Sequence, residues 1–175
     1  AFKSLNEGDT HYTPSSGLHD LKLMAQKVTL KSRGFIPDID QLVVTTGANI
    51  QIYYAIACTV NPGDEVIVPD PGFVSYYSIL NFLNVKSVPV TLREELGFTM
   101  KPEDIEKAIT PRTKMIIINS PSNPTGGVVN KEQWQQIYNI AVKNNLYILS
   151  DEIYARMVYP DSEKFFSPSE FDKCK

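Results

Sequence analysis

Four short stretches of this chain carry side chains whose types and spacing suit chemistry. The run Leu146 to Leu149 is apolar and ends in Ser150-Asp151-Glu152-Ile153-Tyr154. A carboxylate at a buried strand end needs a cationic or hydrogen-bonding partner. A protonated pyridine-type nitrogen is one such partner, because the Asp151 anion would raise that nitrogen's pKa and keep it charged. A helix cap or a structural acid is the plainer role for Asp151. Tyr154 follows three residues later and can approach the same ligand from another side.

The second stretch, Asn119-Ser120-Pro121-Ser122-Asn123-Pro124-Thr125-Gly126-Gly127, follows another apolar strand. Its Pro and Gly steps suit turns, and they would hold the Asn123 amide rigidly where it can hydrogen-bond a phenolic oxygen. In the third, Pro69-Asp70-Pro71-Gly72-Phe73-Val74-Ser75-Tyr76, a stiff loop presents Phe73. Its ring can stack on a heteroaromatic ring or anchor the core at a helix start. In the fourth, Thr45-Thr46-Gly47-Ala48-Asn49 runs into an apolar helical stretch. Small residues there let backbone N–H groups approach a phosphate, although a lone glycine turn has the same pattern.

The elements that must position these residues alternate between strand and helix. A helix is expected from Ser15 and Ser16 to Gly34, with Leu18, Leu21, Ala25 and Val28 at helical spacing. Leu42 to Thr46 reads as a short strand, Ile50 to Val60 as a helix, and Glu65 to Val68 as a strand after the Pro62-Gly63-Asp64 turn. Then follow a helix from Val74 to Phe82, a strand near Val88 to Leu92, and a helix from Pro102 to Ile109. Lys114 to Ile118 reads as a strand, Glu132 to Asn144 as a helix and Leu146 to Leu149 as the last strand. Pro160 to Lys175 shows no clear element. Apolar strands separated by helices define an α/β fold, with three α/β/α layers around a mostly parallel sheet. Ligands of such folds bind beyond the carboxyl ends of the strands, where all four stretches fall.

Composition excludes other classes. Its 175 residues suffice for one core, and 42% apolar with 21% charged residues is the balance of an ordered protein. Seventeen basic and twenty acidic residues leave a net charge of -3, with no Lys/Arg cluster for nucleic acid or anionic lipid. No apolar run is long enough to span a membrane. Cys58 and Cys174 form no disulfide framework; Cys58 reads as a small core residue, and a reduced, cytoplasmic setting is expected. The hydrophobic strand ending in Asp151-Glu152 suggests a nucleotide hydrolase, but no G-x-x-x-x-G-K-[ST] precedes it, and no G-x-G-x-x-G occurs. His11 and His19 are the only histidines, which leaves no zinc motif, and no metal site is expected.

Asn119-Ser-Pro-Ser-Asn-Pro-Thr-Gly126 followed by Ser150-Asp-Glu-Ile-Tyr154 resembles the class I and II aminotransferases, of the pyridoxal-phosphate (PLP) fold type I. The resemblance extends to Tyr12-Thr-Pro-Ser-Ser-Gly17, Pro62-Gly-Asp-Glu-Val66 and Ile109-Thr-Pro-Arg-Thr-Lys114, in order along nearly the whole chain. It implies that Asp151 pairs with the ring nitrogen of pyridoxal 5'-phosphate and that Tyr154 and Asn123 bond its phenolic oxygen. It further implies that Phe73 stacks on the ring and that Gly47, Ala48 and Asn49 hold the phosphate. Tyr12 matches a tyrosine that reaches the neighbouring subunit's phosphate, which implies a homodimer. The implied reaction moves an amino group between an amino acid and a 2-oxo acid. PLP lyases of the same fold type, or a non-catalytic binding domain, are the alternatives.

The departures from the family pattern are mostly omissions. The cofactor-anchoring lysine is expected in a Ser-Lys motif beyond Lys175, and Lys164 and Lys173 stand in no such motif, reading as surface charges. The downstream arginines, an upstream glycine loop and the small C-terminal domain are also missing. The expectation is therefore the N-terminal part of the large PLP-binding domain over residues 1–175, inactive by itself. Lys22 replaces a frequent arginine, and Asn49 occupies a variable position of the phosphate loop.

Overall fold

A computed structural model describes residues 1–171, and Lys173 and Cys174 lie outside the described residues. The chain divides into two compact units at the Gly47–Ala48 peptide. The first unit holds helices α1 (Phe2–Asn6) and α2 (His19–Arg33) and a 3-10 turn, Ile39–Gln41. Helix α2 starts after Leu18, not at the serines, and has no side-chain cap. The Ser16 hydroxyl instead accepts from Lys22 Nζ at 3.2 Å. The helix stops where Gly34 turns left-handed, at φ 77°.

Leu42 to Thr46 is extended but is not a strand. Val44 N–H donates to the Ser16 carbonyl at 2.9 Å; among the described residues no strand pairs with this segment. Gly17, at φ 103°, makes this crossing feasible, since a Cβ there would lie 2.6 Å from Val44 Cβ.

The second unit follows the expected alternation: α3 (Ala48–Thr59), β1 (Glu65–Asp70), α4 (Val74–Phe82), β2 (Lys86–Thr91), α5 (Pro102–Ala108), β3 (Thr113–Asn119), α6 (Lys131–Asn144) and β4 (Tyr147–Asp151). The strands are all parallel, in the order β2-β1-β3-β4. Side chains alternate across a strand, and the packing shows it. Val66, Val68, Met115 and Ile117 join Ile52, Ile56, Tyr76 and Leu80 of α3 and α4 in one cluster. Ile67, Ile116 and Ile118 join Ile105 of α5 and Trp134, Ile137 and Ala141 of α6 in the other. The result is the three-layer α/β/α arrangement, with only β1 and β3 nearly sealed on both faces; β2 and β4 are half-exposed.

The chain steps from β1 to β2 in one direction and then crosses back to β3. A right-handed crossover must change faces when its direction reverses. Accordingly α4 lies on one face while α5 and α6 lie on the other. The reversal falls between β1 and β3, so the ligand crevice of such a sheet opens beyond Asp70 and Asn119.

At the amino end of the sheet, Glu65 is buried and its carboxylate accepts from Thr110 Oγ1 (2.6 Å), Arg112 (2.8 Å) and Lys86 (3.0 Å). The Pro62–Val66 and Ile109–Lys114 motifs thus meet in a structural contact, away from the crevice. Cys58 is exposed, not core. Ile52 and Ile56 turn α3 toward the sheet, and a residue two places beyond Ile56 points to the far side of the helix. The tail contains one further 3-10 turn, Pro168–Glu170, capped by Ser167.

Candidate functional site

Asp151 ends β4, and its position is fixed by four contacts. Its backbone carbonyl accepts from Asn119 Nδ2 at 3.0 Å and from the Ser120 N–H at 3.2 Å. Its carboxylate accepts from the Tyr76 hydroxyl at 2.6 Å and from the Ile153 N–H at 3.2 Å. Burial, and then the adjacent Asp151 carboxylate, push the Tyr76 phenol far above its usual range. Tyr76 therefore stays protonated and remains the donor in this contact.

Asn119 is the second hub. It is buried at the end of β3, and while its amide N–H donates to Asp151, its Oδ1 accepts the Asn123 N–H at 2.7 Å. The loop around Asn123 is wound tight. Ser122 N–H reaches the Gly127 carbonyl (2.9 Å), Gly126 N–H the Ser122 carbonyl (2.8 Å), and Val129 N–H the Ser120 hydroxyl (2.9 Å). Gly127 has no room for a side chain: a Cβ would sit 2.4 Å from the Phe98 carbonyl oxygen. The Asn123 side chain and the Tyr154 hydroxyl, both on half-buried residues, make no hydrogen bond among the described residues. Their polar groups are free to engage a ligand.

Phe73 precedes α4 and is half-buried. It packs beside the α3/α4 cluster with its ring edge-on to Tyr76, centroids 5.7 Å apart at 83°. The anchoring and the ligand-facing roles are thus compatible. Gly72 holds its approach, since a Cβ there would lie 2.4 Å from the Pro69 carbonyl oxygen.

A cavity of about 330 Å³ connects two of the expected features. Ala48, Gln51, Ile52 and Ala55 of α3 form one wall, and Leu149 to Ile153 form the other. The first N–H groups of α3 have no acceptor within the helix, so the Ala48 end suits an anion, while Asp151 lines the same space. Phe73, Asn123 and Tyr154 do not line this cavity. Asn49 is exposed in the first turn of α3. Gly47 and Tyr12 belong to the first unit and are exposed, and the Gly47 carbonyl accepts from Thr45 Oγ1 at 2.9 Å.

The donor set fits pyridoxal phosphate: an acceptor-only carboxylate for a ring N–H, an amide and a phenol for a phenolic oxygen, and a helix start for a phosphate. Sequence reading missed Tyr76 and Asn119 as site residues. A buried amide closing an apolar strand was a usable signal for Asn119. For Tyr76 the only signal was its place one helical turn after Phe73.

The fold is an α/β domain with a parallel sheet, and the candidate residues Asp151 and Asn119 stand at its strand ends. The chain belongs to the class I and II aminotransferases, whose family model matches residues 3–173. An aspartate aminotransferase of Pyrococcus horikoshii is 39% identical over 165 residues, 94% of this chain and 42% of that protein. An asparagine–oxo-acid transaminase of Streptococcus mutans is 43% identical over 162 residues, 91% of this chain and 41% of its own length. A single mutant of Thermus thermophilus aspartate aminotransferase superposes with a TM-score of 0.90 at 35% identity, over 98% of this chain and 44% of that one. The chain thus spans less than half the length of the relatives it matches.

Proposed function

We propose that these residues form the cofactor cradle of a PLP-dependent aminotransferase, as the N-terminal part of its large domain. The observation that carries this reading is Asp151, held on four sides and lining one cavity with the start of α3. Asp151 receives the protonated ring nitrogen and keeps it charged. Asn123 and Tyr154 donate to the phenolic oxygen, Phe73 covers one ring face, and Gly47, Ala48 and Asn49 receive the phosphate. When bound, the cofactor supplies an electron sink for chemistry at the amino-acid α-carbon. This chain's own residues bind, orient and keep charge in place.

The substrates proposed are an amino acid and a 2-oxo acid. The names of the relatives range over aspartate, asparagine, arginine and aromatic amino acids, so the class alone is proposed. A cytoplasmic homodimer, with Tyr12 reaching the partner's phosphate, and a role in amino-acid biosynthesis complete the proposal.

Borohydride reduction of the PLP-treated full natural chain, with peptide mapping, is the test. One stoichiometric adduct on a lysine outside residues 1–175 is expected. A single saturable adduct on a lysine within them would overturn the assignment of this segment. No specific adduct anywhere would overturn the enzymatic reading in favour of a non-catalytic relative.

A further inference from the structure

Tyr76 has 0% exposure within the cluster of α3, α4 and the sheet, yet its hydroxyl is not orphaned there. It reaches Asp151 Oδ2 at 2.6 Å, across 75 residues of sequence. Its ring meets Phe73 edge-on, because residues three apart on a helix start share a face. One buried side chain therefore touches both the acid assigned to the ring nitrogen and the aromatic assigned to the ring face. We infer that Tyr76 is a positioning residue, which sets the plane of the Asp151 carboxylate to receive a ring N–H and sets Phe73 to cover that ring. The inference rests on the PLP reading above.

The geometry gives Tyr76 something to do that the other contacts cannot. Asn119 and Ser120 hold only the Asp151 backbone carbonyl. The Ile153 N–H holds Oδ1 at 3.2 Å but leaves the carboxylate free to swing about that contact. A second donor on Oδ2 removes this freedom. A carboxylate has about four acceptor positions; with two occupied, the rest remain for a ligand N–H. The donor itself cannot wander, since its ring is fully buried in the cluster that also holds Val66, Val68, Leu80 and Ile117.

The test is equilibrium binding to the full natural chain of two probes: PLP, and its analogue with CH in place of the ring nitrogen. The analogue keeps the phosphate and phenolic oxygen but cannot engage Asp151 through its ring. Tyr76→Phe preserves the packed ring and the Phe73 contact. It should raise the Kd of PLP about tenfold, the worth of one hydrogen bond to a charged group, and that of the analogue less than about twofold. Equal losses for both probes would make Tyr76 merely structural and overturn the inference, as would no loss for either. If the wild-type protein binds neither probe, the PLP reading itself fails, and that result is distinct from both. A second measurement needs no variant: the Tyr76 hydroxyl proton resonance should shift on adding PLP and not on adding the analogue. Identical shifts with both would also overturn it.

Discussion

Asp151 and Glu65 are both carboxylates held by several donors, and what separates them is the donors' supply of charge. The Asp151 carboxylate takes neutral donors only, a phenol and a backbone N–H, and in the proposed reading a cationic ligand is its counter-charge. Replacing it with Asn leaves an oxygen to accept from Tyr76. Asp151→Asn should therefore melt within about 1 kcal/mol of wild type while kcat of the full natural chain falls about 10²–10³-fold, as when a charge-stabilising group is lost. Melting curves and steady-state rates on the same samples check the split, and an unaffected kcat would remove Asp151 from the chemistry. Glu65 is instead neutralised by its surroundings. The Thr110 hydroxyl foremost, then Lys86 and Arg112, lower its pKa from 4.5 to about 2. A depressed acid contributes stability that is present above its unfolded pKa and is lost as pH falls through the folded one. The stability gap between wild type and Glu65→Gln should then be constant from pH 7 to about 5 and shrink between about 4.5 and 2. Urea midpoints at stepped pH would show it, and a gap unchanged at pH 3 would contradict it.

At the scale of elements, the sequence was most readable where one periodicity acted alone. Pro102 at the first turn of α5, the apolar run of β3 and the helical run of α4 were found with their ends correct within about two residues. Leu42 to Thr46 was misread because a β-branched run specifies extended backbone, whereas a strand also needs a neighbour. Cys58 was misplaced because α3 is apolar on more than its buried face, and composition does not say which side meets the sheet. The site divides in the same way. Loop motifs nominated Asn123, Phe73 and Asp151 as candidates, while the contacts of Tyr76 and Asn119 with Asp151 depend on strand order, which no local pattern encodes. The 120–129 loop carries its own prediction. A Cβ at Gly127 meets two backbone carbonyls, those of Phe98 at 2.4 Å and Gly97 at 2.8 Å, and neither can rotate away. Gly127→Ala should cost about 1–3 kcal/mol and weaken PLP binding, because the displaced loop carries Asn123. Asn130→Ala removes the α6 cap bonded to the Gln133 N–H, costing about 1 kcal/mol without changing PLP affinity. Equal changes in affinity for both variants would show that loop geometry is not what orients Asn123.

At the scale of the whole chain, holding the cofactor and turning substrate over are separable demands. In the proposed reading Asp151, Asn119, Tyr76 and the start of α3 serve the first, and all lie within one unit. The second needs a nucleophilic amine to anchor the cofactor and carry a proton, and no lysine lines the Asp151 cavity. Lys86 serves Glu65 at the other end of the sheet, Lys143 pairs with Glu106, and Lys164 is exposed in the tail. Large apolar side chains also stand uncovered, Leu21, Met24 and Val28 on α2 and Phe82 on α4 among them. The 175-residue chain alone, supplied with PLP, an amino donor and a 2-oxo acid, should therefore show no sustained transfer of nitrogen above the free-cofactor rate. Product formation followed over many equivalents measures it. PLP retained without turnover would match a cradle that awaits its lysine. Sustained turnover would mean that one of the thirteen lysines of this chain already performs the anchoring step.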